Sequence, residues 1–393
     1  MREKGMSLAE LLVVMFIFVL IGMALVSAMV FHQRSFLQEN KRVMIKSQIR
    51  TAFLDLQEKI SQAGSAINVA GARSFMGANT SAPFRGIIPL NSGQFSSSGR
   101  DTDPDGIIIA YGDVRTLTRI SNSSWYPTNT TIVLDKVINP VSTTGESLWQ
   151  VNDIGMIMSK DGFYIFKVTG VNASSNTLTL RRTPVYYSGE FQYSDSGGQI
   201  KLSYRDFIPN YLDPTNPTAG NVLTYSRNGS AVVKLNFFGI YFIGRFNNEY
   251  YLVVSMDTQG NSNPCSSGLQ AELCVPLAKN IVDLQIEYLV PDTTTGTMDM
   301  YCTSSSSDPM VNNVYSNPPF TTLYPLILTK QIKGIRITIS GVTERFREKY
   351  NRTFVLTAAG DRDAISIATD PWTHMKLIQL TSTFTPRSAF SVY

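Results

Sequence analysis

The sequence predicts an α+β protein in which one long N-terminal helix packs on an antiparallel β-sheet, with a large β-rich insertion. Three observations support this fold class. Residues 11–31 contain no charged side chain, and helical periodicity continues to about residue 62. Beyond residue 65 the apolar runs are short and rich in Val, Ile and Tyr, which favours strands. With 393 residues the chain is long enough for two lobes.

The first element is an apolar span from Leu11 to Phe31. Its 21 residues, at about 1.5 Å each, match a hydrocarbon core of roughly 30 Å. Arg2 and Lys4 precede it, so the positive-inside tendency leaves the N-terminus in the cytoplasm. The sequence therefore predicts a single-pass protein whose body lies outside the cytoplasm. A secretory signal cleaved near residues 27–28 is an alternative.

The helix is predicted to continue beyond the membrane as a single rod. Its apolar residues there recur at steps of three and four, the spacing of one helix face: Ile45, Ile49, Phe53, Leu56 and Ile60. No proline occurs before Pro83, and Ala63-Gly64 supplies a C-terminal stop. A helix from Ser7 to about Gln62 would extend roughly 80 Å. An ordinary signal anchor with a helical stalk would show the same pattern.

Glu10 is the unusual residue of the apolar half. A carboxylate at the beginning of a membrane span is costly, and such residues usually have a partner or a function. The alternative is that the Glu10 side chain reaches the headgroup region, which costs little. Glu10 is therefore the first candidate functional residue.

The segment Lys4-Gly5-Met6-Ser7-Leu8-Ala9-Glu10-Leu11-Leu12 resembles the class III signal of type IV prepilins and pseudopilins. The resemblance implies that residues 1–5 are a leader, removed between Gly5 and Met6 by the prepilin peptidase. It also implies N-methylation of the Met6 amine, with Glu10 pairing with the N-terminal amine of a neighbouring subunit. Met6 departs mildly from the family, in which Phe is more usual at this position.

The body is predicted to contain two groups of strands. They are expected at 106–111, 131–137, 155–158, 163–168, 177–182 and 199–204, then at 231–242, 249–256, 281–290, 332–340, 364–368 and 375–384. Residues 65–100 are predicted to be loop, and the Pro-rich stretch 209–220 separates the two groups. We therefore expect a long helix over 6–64, a β-rich insertion lobe over 65–230 and a sheet lobe over 231–393.

Two further segments resemble one group within this family more closely than the others. The helix end at 55–64 is similar to that of PilW-type minor pilins, and Asp283-Leu284-Gln285-Ile286-Glu287-Tyr288 with 333–339 resembles their late strand pair. This implies a pilin-like fold and a non-enzymatic role in pilus assembly or initiation near the tip. It also implies contacts with other minor and major pilins through the helix, and passage from the inner membrane, with a periplasmic body, to the pilus. A type II secretion pseudopilin of the J kind has a closely similar pattern and stays an alternative.

The three cysteines lie in one Ser-rich and Asn-rich stretch without the spacing of a zinc site. Outside the cytoplasm they are expected to be oxidised. Cys265 with Cys274 would close a short loop, and Cys274 with Cys302 is the competing pair. Free or buried thiols are the remaining alternative.

Asp101, Asp103 and Asp105 occupy loop positions one, three and five before Gly106, as in a calcium loop. Position twelve is Gly112 where such loops carry glutamate, so a polar turn leading into a strand competes with Ca²⁺ binding. The rival function is accordingly a membrane-anchored adhesive or calcium-binding module that uses the helix only as a tether.

Composition argues against two other classes of protein. Charged residues make up 16% of the chain and the net charge is +4, unlike the basic stripe of a nucleic-acid binder. The two histidines, His32 and His374, are widely separated and lack candidate partners for a triad or a metal site. We predict neither nucleic acid as the main partner nor enzymatic activity.

Overall fold

A computed structural model of the chain describes residues 8–67, 86–92, 104–126, 129–135, 148–159, 162–180, 190–195, 198–203, 225–246, 249–255, 274–291, 299–303, 334–344, 354–356, 365–367 and 374–386. Within these residues there are one α-helix and nineteen strands. The helix is α1 (Leu8–Gln62), and the strands are β1 (Ile87–Ser92), β2 (Gly106–Gly112), β3 (Ser124–Trp125), β4 (Thr131–Val133), β5 (Ile154–Ser159), β6 (Gly162–Asn172), β7 (Thr177–Leu180), β8 (Glu190–Asp195), β9 (Gly198–Ser203), β10 (Tyr225–Ser226), β11 (Ser230–Phe246), β12 (Glu249–Ser255), β13 (Cys274–Lys279), β14 (Ile281–Pro291), β15 (Asp299–Thr303), β16 (Gly334–Val342), β17 (Phe354–Leu356), β18 (Ile365–Ile367) and β19 (Leu377–Phe384).

Helix α1 is continuous over 55 residues, as its apolar periodicity and the absence of proline predict. It ends where the sequence places its stop. Gly64 adopts a left-handed φ of 76°, and the Ala63 N–H donates back to the Ile60 carbonyl oxygen at 3.1 Å. The Gly64 N–H donates to the Ala110 carbonyl oxygen of β2 at 3.0 Å. The end of the helix is thereby attached to a strand of the body.

The C-terminal half of α1 lies on the sheets through one buried apolar face. That face consists of Ile45, Ile49, Ala52, Leu56 and Ile60. With apolar side chains of β1, β2, β11–β14, β16 and β19 it forms one hydrophobic cluster, which we call the helix core. The predicted stripe is confirmed, except that Ala52 is fully buried and Phe53 only partly. The predicted α+β arrangement of a long helix on antiparallel sheets is therefore present.

The smaller main sheet has the strand order β15-β14-β16-β19, and all its neighbours are antiparallel. Alternation along its two central strands directs one set of side chains to the helix core. On β14 these are Leu284, Ile286 and Tyr288, and on β16 they are Ile335, Ile337 and Ile339. This sheet therefore covers one side of the helix.

The larger sheet has eleven strands, and β11 is its centre. The N-terminal part of β11 pairs with β5, its middle with β2, and its C-terminal part with β12. β11 begins at Ser230, where the two predicted lobes meet. Strands from both predicted lobes therefore belong to one hydrogen-bonded sheet.

A closed ring of strands forms one end of this large sheet. From β11 the ring passes through β5, β6, β7 and β4. It closes through residues 118–120, because Thr118 bridges Val232 of β11 and Ile120 bridges Leu134 next to β4. The ring encloses a second hydrophobic cluster, the barrel core: Ile120, Trp125, Ile132, Leu134, Trp149, Ile157, Phe166, Val168, Leu178, Leu180 and Val232. The described part of the body therefore has two large, separate apolar interiors, and β11 contributes to both.

Asp105 joins the two main sheets. Its backbone N–H donates to the Leu284 carbonyl oxygen at 2.7 Å, and its carboxylate accepts the Ile286 N–H at 2.8 Å. The residue is only 1% exposed. A buried carboxylate needs such partners to offset its desolvation. Asp105 thus occupies the place of a strand partner for β14.

Candidate functional site: the N-terminal helix

The N-terminal part of α1 extends away from the body. Residues 8–40 are exposed apart from Gly22, which is half-buried. The exposed side chains are large and apolar; Phe16 is 64% exposed, Phe18 70% and Phe31 71%. This one helix is long and apolar enough to span a membrane. A water-exposed apolar surface of this size is unstable, so it needs lipid or other helices to cover it.

Glu10 lies exposed in the first turn of this helix. It is the only Asp, Glu, Lys or Arg residue between Leu8 and Gln33. A carboxylate in the first turn of a helix is stabilised by the helix dipole. Gly5 and Met6, the predicted processing and methylation positions, lie outside the described residues.

A partly buried hydrogen bond joins the other half of the helix to the large sheet. The Tyr241 hydroxyl of β11 donates to the Asp55 carboxylate at 2.8 Å. Tyr241 is fully buried in the helix core. Burial raises the pKa of Tyr241 above its ordinary value, and the Asp55 charge raises it further. The hydroxyl therefore stays protonated and able to donate.

The last turn of α1 adds a polar and aromatic contact. Lys59 Nζ lies 5.1 Å above the centre of the Phe237 ring and 3.0 Å from the Glu58 carboxylate. Tyr111 stacks on the same ring, with 5.5 Å between the ring centres. Burial opposes the charged form of Lys59, but the hydrogen bond to Glu58 and nearby negative groups outweigh it, so its pKa is raised. The cation is thus held against the sheet.

Replacing Tyr241 by Phe should lower the free energy of unfolding by about 1.5–3 kcal/mol, because a hydrogen bond to a charged group is lost. Urea unfolding of the full chain in detergent measures this.

The stability of the fold should also depend on pH through Tyr241, because the pKa of Tyr241 is higher in the folded than in the unfolded chain. Its contribution to stability is fully present below about pH 10, where tyrosine is protonated in both states, and is lost as pH rises further and the unfolded tyrosine ionises. Tyr241→Phe should therefore reduce the loss of stability above pH 10. Tyr126→Phe, at a side chain that is 41% exposed, is the matched control. Equal effects of the two substitutions would contradict a stabilising role of the Asp55 contact.

The structure places one of the three predicted calcium ligands. Asp105 lies in the seam between the sheets, with one carboxylate oxygen bonded to the β14 backbone. Asp101 and Asp103 lie outside the described residues. Among the residues that are described, no three His, Cys, Asp or Glu side chains are close enough together to hold a metal ion.

Cys274 begins β13 and is disulfide-bonded. The side chains of Cys265 and Cys302 lie outside the described part, so both predicted pairings stay open. His32 lies on the exposed helix, where its ring meets that of Phe31 edge-on, and His374 is half-buried ahead of β19.

The strand pair singled out in the sequence carries a buried polar row on the face opposite the helix. Gln285 donates to the Asp283 carboxylate at 3.0 Å, and the Ser340 hydroxyl lies 3.5 Å from it. Glu287 lies 3.4 Å from Arg336. Burial raises the pKa of Glu287, although Arg336 opposes the shift. These contacts join β14 to β16 and account for the polar residues in the two strands.

The exposed apolar half of α1 is long and apolar enough for a membrane anchor or a signal segment. Sequence reasoning predicted the buried stripe but missed the Tyr241 contact, for which the off-stripe position of Asp55 was the only signal. Comparison with protein-family models, curated proteins and solved structures found no match to this chain.

Proposed function

We propose that this chain is a minor pilin of a type IV pilus, a non-enzymatic subunit that takes part in pilus assembly or initiation near the tip. The observation that carries the proposal is the exposed half of α1. It is long enough to cross a bilayer and continues without a break into a half that lies on the sheets through one buried face. Such a rod can transfer from lipid to a helix bundle without rearrangement of the body.

The proposed residue roles follow from the resemblance of the N-terminus to class III signals. Gly5 ends the leader, Met6 supplies the new N-terminal amine, and Glu10 pairs with the amine of a neighbouring subunit. The exposure of Glu10 in the first helical turn supports this role, because the carboxylate is presented at the surface of the rod. In apolar surroundings an ion pair is penalised much less than a single charge.

Mass spectrometry of the mature protein tests the proposal most directly. We expect a chain that begins at Met6 and carries a methylated amine. Substitution of Gly5 should prevent this processing and keep the protein out of filaments. A mature chain that begins near Ser27 would refute the proposal, because the rod would then be a discarded signal.

Glu10→Ala should leave membrane insertion intact and lower incorporation into filaments by more than about tenfold, because the neighbouring amine loses a partner in apolar surroundings. Quantitative immunoblotting of sheared filaments and of membranes measures both quantities. Glu39→Ala removes an exposed carboxylate of the same helix outside the apolar span and serves as the control. Equal incorporation of the Glu10 and Glu39 variants would exclude the pairing role.

A further inference from the structure

Strand ends form the end of the body at which α1 enters it, and we call this edge the helix-entry rim. Gly341 of β16 lies against Ile45, the first buried residue of α1. One turn before Ile45, Lys41 Nζ lies 3.6 Å from the Glu344 carboxylate. The helix therefore leaves the body at this rim and continues toward its apolar span over residues 11–31.

Two lysines of the sheets lie on the same rim. Lys279 Nζ, at the end of β13, lies 2.6 Å from the Glu249 carboxylate at the start of β12. The pKa of Lys279 is raised chiefly by this contact, and the charge of Glu344 adds to the shift, so Glu344 is also close to Lys279. The Lys376 N–H, just ahead of β19, donates to the Thr343 hydroxyl at 2.9 Å. Both lysines therefore lie beside the point where the helix enters.

Half-buried apolar and aromatic side chains accompany these charges. Tyr250, Met375 and Leu377 pack on Val282 and Val342 in a small cluster next to the helix-entry rim. The first three side chains are only partly covered. A tyrosine and apolar side chains set among lysines are typical of surfaces that meet lipid headgroups.

The length of α1 places the helix-entry rim close to a bilayer that residues 11–31 cross. Lys41 lies about 15 Å beyond Phe31 along the helix axis, and the headgroup region occupies about 5–8 Å of that distance. The remaining gap is therefore about 7–10 Å, close to the Debye length of about 8 Å at physiological ionic strength. Membrane-spanning helices tilt by about 20° on average. Such a tilt lowers a point on a packed sheet, about 15 Å from the helix axis, by about 5 Å.

Carboxylates balance only part of the positive charge near the rim. The three lysines lie with two carboxylates, Glu249 and Glu344. On the segment of α1 that leads to the membrane, Arg34 adds a cation, whereas Arg42 is matched by Glu39 at 3.4 Å. Among the side chains that the structure describes in this region, positive charges therefore exceed negative charges by two.

From this placement we propose that the helix-entry rim binds anionic phospholipid headgroups, so that the body rests against the bilayer while α1 spans it. Headgroups are the charged surface that the span brings next to the rim, and basic residues near an anionic bilayer are attracted to it. Tyr250 and its apolar neighbours add contacts at the same level. The inference rests on the membrane span of α1 but not on pilus assembly.

Lysine acetylation of the full chain in nanodiscs tests the proposal. One set of nanodiscs contains phosphatidylcholine alone, and the other contains about 30% phosphatidylglycerol, whose anionic headgroups should cover the rim. Brief treatment with the uncharged reagent N-hydroxysuccinimidyl acetate, followed by mass spectrometry, should show Lys279 and Lys376 reacting at least about threefold more slowly with phosphatidylglycerol. The difference should shrink in about 0.5 M salt.

Lys167 is the internal control. It pairs with Ile154, which in turn pairs with Leu235 of β11. Leu235 lies about 35 Å along that strand from Phe246 at the rim end. The reactivity of Lys167 should therefore be the same in both lipids.

Charge variants separate binding from the lower local pH at an anionic surface. Lys41→Glu with Lys376→Glu should abolish the effect of phosphatidylglycerol on Lys279, because the rim then carries a net negative charge. Lys41→Arg with Lys376→Arg should retain the effect, which also controls for folding.

Three results would overturn the proposal: equal reactivity of Lys279 in the two lipids, an equal slowing of Lys167, or a slowing of Lys279 that persists in the glutamate variant. The last would show an effect of surface pH alone. No lipid effect in a protein with a methylated Met6 start would refute only this inference. Unchanged incorporation of the Glu10→Ala variant into filaments would refute only the pairing role in the proposed function.

Discussion

Gly86→Ala is expected to destabilise the body by at least about 4 kcal/mol, because it adds backbone strain to a direct steric overlap. Gly86 has a φ of 88°, in the region that disfavours residues with a Cβ. A Cβ there would overlap the backbone nitrogen of Gly64 and lie 2.6 Å from the Ala110 carbonyl oxygen. Neither neighbour can yield, since the Gly64 N–H itself donates to Ala110 and the Ala110 N–H donates to the Gly86 carbonyl oxygen. The end of α1 would be forced away from β1 and β2.

Thermal unfolding of the full chain in detergent measures this effect, with an expected decrease in Tm of at least about 5 °C. Gly334→Ala is the matched control, because the nearest heavy atom to its added Cβ lies 3.5 Å away, an ordinary contact distance. We expect Gly334→Ala to change the Tm little. If Gly86→Ala had the smaller effect of the two, the close approach of Gly64 and Gly86 would be incorrect.

Leu56→Ala should cost about 2–5 kcal/mol, because the side chain is fully buried between the helix and both sheets and its removal leaves a cavity. The substitution weakens the packing contact that holds the helix to the body. It should therefore appear both as reduced stability in urea and as faster proteolysis within residues 45–60.

The neighbouring Leu54 offers a control with the same chemistry. Its side chain is 67% exposed, so Leu54→Ala should change the free energy of unfolding by no more than about 0.5 kcal/mol. Comparable costs for the two substitutions would mean that the helix is rotated relative to the sheets from the arrangement described above.

The helix and its buried face could be predicted because both depend on local patterns. Apolar steps of three and four, the absence of proline and the Ala63-Gly64 stop are all readable along the chain. The strands that alternate strongly were also predicted, including the pairing partners β14 and β16. These elements form wherever one face is buried, so the pattern alone is informative.

The strands that were missed have no such pattern. β1 lies in the stretch 65–100, which was predicted to be loop, and that prediction is wrong for residues 87–92. The apolar run of β1 is interrupted by Pro89. β13 contains Pro276, and β15 is only five residues long. Such strands are specified by the neighbours with which they pair, which local sequence does not reveal.

The candidate site also combines features that are visible in the local sequence with contacts between distant residues. Glu10 stands out from its apolar neighbours in the sequence, whereas the bonds that hold the helix and sheets together connect distant positions. Asp55 and Tyr241 are 186 residues apart, and Asp105 and Ile286 are 181 apart. The ring around the barrel core closes through two isolated bridges that no periodicity marks. Helix α1 could therefore be predicted from the local sequence, whereas the hydrogen bonds that attach it to the body could not.

The bulge in β11 limits which changes in chain length the body can tolerate. Leu235 pairs with Gly112 and Phe237 with Tyr111, so Asn236 is an extra residue opposite β2. It lies where the strand passes from the barrel core to the helix core. A one-residue deletion there would turn every following side chain of β11 to the other side of the sheet, moving Tyr241 away from Asp55. Natural variation in length should therefore be accepted in the connecting loops and excluded from this single position.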